Sequence, residues 1–149
     1  MNREILFRGK RTDNGEWVEG CMIKYPSGKV EVFKKCEEPP DVLLRCEVDP
    51  DTLCQYTGLT DKNGKKIWEN DIVKYQFDNG DCPFPNKHTE KIIGRIFFSD
   101  FRASFSVTAG RKGSSSINND LFRYVRNGNR VEVIGNIFDN PELLEVEHE

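Results

Sequence analysis

The residues best suited to chemistry gather in the stretch YTGLTDKNGKKIWENDI, from Tyr56 to Ile72, where Asp61, Asn63, Glu69 and Asp71 surround a glycine turn. An EF-hand calcium loop takes oxygen ligands at its first, third, fifth and twelfth positions and glycine at the sixth. Counted from Asp61, the fifth position is Lys65, glycine falls fourth at Gly64, and the twelfth is Ile72. A lysine inside the cage would oppose the cation, so that reading fails. A divalent-metal nuclease or hydrolase is the alternative. Glu69 and Asp71 stand two apart, which on a strand puts both carboxylates on one face, with Asp61 across the hairpin. No neighbouring histidine or further carboxylate supports that set, and Lys65 and Lys66 adjoin it. Turn chemistry explains the same residues more economically. Asn63 and Gly64 are expected to supply positive φ in a tight turn. Asn70 is expected to take the left-handed conformation in a second turn, with Asp71 accepting backbone N–H groups. Tyr56, Thr57, Gly58 and Leu59 form the backbone lead into this unit.

The rest of the chain offers little for catalysis. Its two histidines are His88, at the end of the loop DNGDCPFPNKH, and His148, one residue from the end. Five cysteines (Cys21, Cys36, Cys46, Cys54, Cys82) form no CxxC pair, which argues against a zinc ribbon and for reduced thiols. Cys82, in GDCPFP, is the thiol expected to be most exposed, and no base is placed beside it. Phosphate-cradling glycine motifs are absent. The expectation is a protein that is not an enzyme, with no catalytic residue, no metal and no cofactor.

Charge is the stronger lead. The net charge is −3, yet between Phe84 and Arg130 nine Lys/Arg face three acidic residues. Basic side chains there alternate with Phe97, Phe98, Phe101, Phe105, Phe122 and Tyr124. Small β-barrels bind nucleic acid by stacking bases on aromatics while basic groups follow the phosphates. Candidate contacts are Arg95, Arg102, Arg111, Lys112, Arg123 and Arg126. The competing reading buries most of these rings in a core, because Phe101, Ala103, Phe105 and Val107 alternate with Arg102, Ser104 and Ser106.

The elements that must position these residues are mostly short strands. EILFRG, WVEGCMIKY and KVEVF are joined at Asp13-Asn14-Gly15 and Pro26-Ser27-Gly28, predicting a three-stranded meander over the first 34 residues. Pro39-Pro40 and Pro50 bracket a strand at Val42–Cys46 and suggest a boundary within 35–51. DIVKYQF, TEKIIGRIFF, FRASFSV and RVEVIGNIF read as further strands, with a bulge or kink at Gly135. LFRYV is ambiguous between strand and helix. Asp139 or Asn140 is expected to cap a short PELLEVE helix with Pro141 at its first position. Crossover helices for a parallel sheet are missing. No apolar run approaches bilayer length, and MNREILFRGK lacks a signal-peptide core, so the cytoplasm is expected and no membrane partner.

Three blocks carry a family resemblance: REILFRGKRTDNGEWVEG, QYTGLTDKNGKKIWENDIV (Gln55–Val73) and GNIFDNPELL (Gly135–Leu144). Together they resemble the YopX-like family of phage and prophage proteins across nearly the whole chain. The family usually has glycine where this chain has Asn70, a change both residues' left-handed tolerance allows. The resemblance implies one domain over 1–149: a meander and proline-rich connection over 1–50, then an SH3-like roll or barrel with a short C-terminal helix over 51–149. The expected fold class is mainly β, with few short helices. The resemblance implies no established catalytic residue. The leading expectation is therefore a non-enzymatic phage or prophage accessory module that binds a protein partner or itself through exposed strand edges, with nucleic acid as the alternative ligand.

Overall fold

The computed structural model describes residues 2–36, 42–76, 91–108, 119–126 and 128–145. Cys82, His88, Arg111, Lys112 and His148 lie outside the described residues. The chain is mainly β, with two antiparallel sheets and two short helices among the described residues. It divides into two compact units between Gly58 and Leu59.

In the first unit, β1 (Phe7–Lys10), β2 (Trp17–Lys24), β3 (Val30–Cys36) and β4 (Val42–Val48) follow one another as a meander, and β5 (Cys54–Thr60) returns to pair with β1. The expected turns are present. Gly15 and Gly28 take φ of +73° and +95°, while Asn14 keeps negative φ and instead accepts the Glu16 N–H through its side chain at 2.9 Å. Register puts Met22, Val32 and Cys46 in one row and Lys24, Val30 and Val48 in another. Period-two alternation therefore turns Val30, Val32, Cys46 and Val48 inward, where they join Val18 in a core. Burying each valine contributes about 1.5–3 kcal/mol.

The meander curls until its ends meet. Arg11 and Val48 form an isolated antiparallel bridge, the Thr12 N–H donates to the Glu47 carbonyl at 3.1 Å, and the Asp49 N–H donates to Lys10 at 2.8 Å. Gly20 permits the curl. It lies where β2 passes from β3 to β1, and a Cβ there would run into the Phe33 carbonyl. On the opposite face Glu31 is buried, held by the Tyr25 hydroxyl and by Arg45 at 3.1 Å. That hydrogen bond to a carboxylate raises the Tyr25 pKa above its ordinary 10.0.

In the second unit, β7 (Asp71–Gln76), β8 (Lys91–Ser99), β9 (Ser104–Val107), β10 (Asn119–Asp120) and β11 (Val131–Asn136) form a sheet in the order β10-β9-β8-β7-β11. The sheet stays open, with β10 and β11 at its edges, so a closed barrel is not formed by the described residues. The core holds Ile67 from β6 (Lys66–Trp68), Val73, Tyr75, Ile96, Val107 and Val131, covered by Leu121 and Tyr124 of α1 (Leu121–Val125). LFRYV is thus a helix; Asp120 caps it by accepting the Phe122 N–H at 3.1 Å.

One local expectation needs correction. FRASFSV is a strand only from Ser104, because residues 100–103 form the β8–β9 turn and Ala103 takes φ of +51°. Phe101 therefore leaves the sheet and is 97% exposed instead of facing the core. The Asn140 carbonyl accepts the Leu143 N–H at 3.1 Å at the start of α2 (Glu142–Glu145). Asn140 Oδ1 turns back to accept the Asn136 N–H at 3.3 Å, and Asp139 Oδ2 accepts from Asn136 Nδ2 at 3.1 Å. The expected bulge is present: the β11 register shifts between Val133 and Gly135. A Cβ on Gly135 would lie 2.5 Å from Asn140 Oδ1.

Gly20→Ala is expected to cost about 3 kcal/mol or more, because the added carbon meets backbone that cannot repack. Gly28→Ala, with open space but positive φ, is expected to cost about 1–2 kcal/mol. Urea unfolding of the two variants measures the difference; equal losses would contradict the curl.

Candidate functional site

Asp61 sits at the end of β5 and is 3% exposed. Its backbone closes the turn: the Asp61 N–H donates to the Lys65 carbonyl at 2.8 Å, and the Gly64 N–H donates to the Asp61 carbonyl at 3.0 Å. Its side chain does more. Oδ1 accepts the N–H groups of Asn63 and Lys65, both at 2.9 Å. Oδ2 accepts the Val133 N–H at 2.9 Å. Beside it the Lys62 N–H donates to the Val131 carbonyl at 2.9 Å, and Lys62 Nζ pairs with Glu132 at 3.0 Å. Val131 and Val133 are alternate residues of the edge strand β11, so their outward backbone groups are satisfied by the Asp61–Lys62 turn rather than by another strand. Asn129 completes the clamp, donating to the Thr60 carbonyl at 2.7 Å and accepting the Val131 N–H at 3.1 Å.

The second turn is equally structural. Asn70 takes φ of +71°, as expected. Its N–H donates to Ile96 at 2.8 Å and its carbonyl accepts the Ile137 N–H at 3.1 Å. Asp71, 2% exposed, accepts the Trp68 N–H at 2.8 Å. Gly64 has φ of +82° but Asn63 does not share it; Asn63 contributes its N–H to Asp61 instead. The carboxylates that a hydrolytic metal would require are thus committed to backbone donors, and Glu69 is half-buried in the turn. Among the described residues no three His, Cys, Asp or Glu gather as a metal-binding group. In the lead-in, Tyr56 is buried and its N–H donates to Leu6 at 2.9 Å, Thr57 is half-buried, and Gly58 takes φ of +86°. Leu59 packs against the core of the second unit.

The basic candidates are spread over separate elements. Arg95 is half-buried on β8, on the face opposite Ile96; Arg102 is exposed in the β8–β9 turn; Arg123 lies on α1 and Arg126 just after it. The aromatic residues beside them include exposed rings, among them Phe101, which sequence alternation assigns inward. Phe98, Phe101 and Phe122 are 45%, 97% and 50% exposed, and Phe98 stands edge-on to Phe105 with centroids 5.3 Å apart.

The largest feature missed by sequence reasoning lies on β4. Val42, Leu43 and Leu44 are 43%, 57% and 45% exposed. The signal was present: three consecutive apolar residues break the alternation that the remainder of the strand, Arg45 to Val48, obeys.

The sequence pattern described as "YopX protein" matches residues 6–145. The chain belongs to the YopX family. Among solved structures, this YopX-family chain is similar to the crystal structure of protein EF1440 from Enterococcus faecalis, at 24% identity and a TM-score of 0.53 over 96% of this chain and 99% of that one. That likeness supports the fold. No curated protein matches.

Asp61→Ala strands three part-buried N–H groups and is expected to lower stability by about 2–4 kcal/mol, whereas Asp61→Asn keeps two acceptor bonds at most and loses about 1–2 kcal/mol. Asn70→Gly should be neutral or slightly stabilising and Asn70→Val destabilising by about 1–2 kcal/mol. Denaturant titrations rank the four; an innocuous Asp61→Ala would contradict the clamp.

Proposed function

We propose that this YopX-family protein is a non-enzymatic accessory module of a phage or prophage, acting in the bacterial cytoplasm by binding a protein surface, its own included. The observation that carries this reading is the run Val42-Leu43-Leu44, exposed together on an edge strand. Unpaired apolar strand edges are adhesive, and natural proteins guard or cover them unless they serve in binding. The commitment of Asp61 and Asp71 to backbone donors supports it by giving those carboxylates a structural task. Among the described residues, no helix is long and apolar enough to cross a membrane.

A second reading draws on the β8–β9 turn, where a ring as exposed as Phe101 adjoins Arg102, a pairing suited to stacking on a base beside a phosphate. Thermal melts and salt-dependent binding separate these readings. A metal that binds the native state raises the melting temperature, so no shift is expected between EDTA and Mg²⁺ or Mn²⁺. A rise of several degrees that Asp61→Asn abolishes would restore the hydrolase. Single-stranded DNA binding that falls steeply with salt, and weakens with Phe101→Ala and Arg102→Ala, would favour the nucleic-acid reading over the protein one.

A further inference from the structure

Among the described residues, β4 is paired on its open side only at its C-terminal end. The Glu47 carbonyl accepts from Thr12 and the Asp49 N–H donates to Lys10, so odd-numbered residues of β4 turn their backbone groups away from β3. Leu43 and Arg45 therefore present two N–H and two C=O groups along an edge that no described strand covers. Charged side chains commonly guard such an edge. Here they are drawn to the strand's own sheet: Arg45 Nε lies 3.1 Å from the buried Glu31, and Glu47 lies 3.9 Å from Lys29 Nζ.

We propose that β4 pairs edge to edge with β4 of a second copy, antiparallel about a two-fold axis at Leu44, joining two first-unit sheets into one. This deepens the interaction-module reading and rests on it. The edge is self-complementary in that register. Each Leu43 lies opposite Arg45 of the partner subunit as a hydrogen-bonded pair, so the four outward groups of one strand meet the four of the other. Leu44 then faces Leu44 of the partner subunit in the closer, non-hydrogen-bonded position, where side-chain contact is greatest. A register centred one residue on would set two guanidinium groups opposite each other, which like-charge repulsion disfavours. Centring on Leu44 places each Arg45 against an aliphatic side chain and leaves its ion pair with Glu31 in place.

Sedimentation of the full chain from about 1 to about 200 μM tests this directly, because the span brackets ordinary self-association. The expected mass is twice that of the chain. Leu44→Lys should weaken association at least tenfold with an unchanged circular dichroism spectrum, since the replaced side chain is already half-exposed. Leu44→Cys, oxidised and mapped by peptide mass spectrometry, should yield a 44–44 disulfide, and this holds the register to account even if the lysine variant folds poorly. A monomer throughout the range would overturn the proposal, as would a dimer that Leu44→Lys leaves intact or one linked only through the exposed Cys21. If the chain is monomeric but Leu44→Lys abolishes binding to a purified phage protein, the second-copy proposal falls while the interaction-module reading stands.

Discussion

The carboxylate of Asp61 is the contact on which the second unit depends. One side chain closes the turn that follows β5 and finishes the outer edge of β11, joining residues 72 positions apart in sequence. Each of its bonds is charge-assisted and part-buried, and the carboxylate itself is 3% exposed, so removing the acceptor leaves donors with no replacement partner in the protein. The arrangement also solves a problem of topology. β11 is the last strand and lies at the sheet's edge, and a turn from the start of the unit covers it. Asn70 does the corresponding work two turns later, its backbone tying β8 to the chain beyond β11. The conformation it needs, with φ of +71°, is one that glycine and asparagine share.

That use of acidic residues redirects attention to the surfaces. A carboxylate surrounded by its own backbone donors is poorly placed to bind an ion, and Asp71 is likewise occupied. Large apolar side chains exposed among the described residues include those of the β4 edge in the first unit, and Phe98, Phe101 and Phe122 in the second.

Much of the fold was legible in the sequence because it is local. Asp13-Asn14-Gly15, Pro26-Ser27-Gly28 and Asn70 announce turns, and the alternation of Val30 and Val32 with Glu31 fixes which side faces the core. The family resemblance extended that reading across the chain. Long-range contacts were not legible. Nothing in the spacing ties Asp61 to Val133, and nothing in GNIFDNPELL shows that Asn140 turns back toward Gly135. Alternation misled at Phe101, where a period-two pattern runs on into a turn that Ala103 closes with positive φ. At β4 the pattern was broken visibly, yet only the strand order shows that Val42, Leu43 and Leu44 lie on an open edge.

Amide hydrogen exchange at Val133 tests the central claim most directly. Val133 sits on the outer edge of β11, and its N–H is shielded because Asp61 Oδ2 accepts it. In the native protein it should exchange slowly, with a protection like that of amides paired within the β7–β8 ladder. In Asp61→Ala, under conditions where the protein remains folded, protection at Val133, Asn63 and Lys65 should fall together while the β7–β8 amides keep theirs. A Val133 amide that exchanges as fast as an open edge in the native protein, or that stays protected when Asp61 is replaced by alanine, would contradict the account.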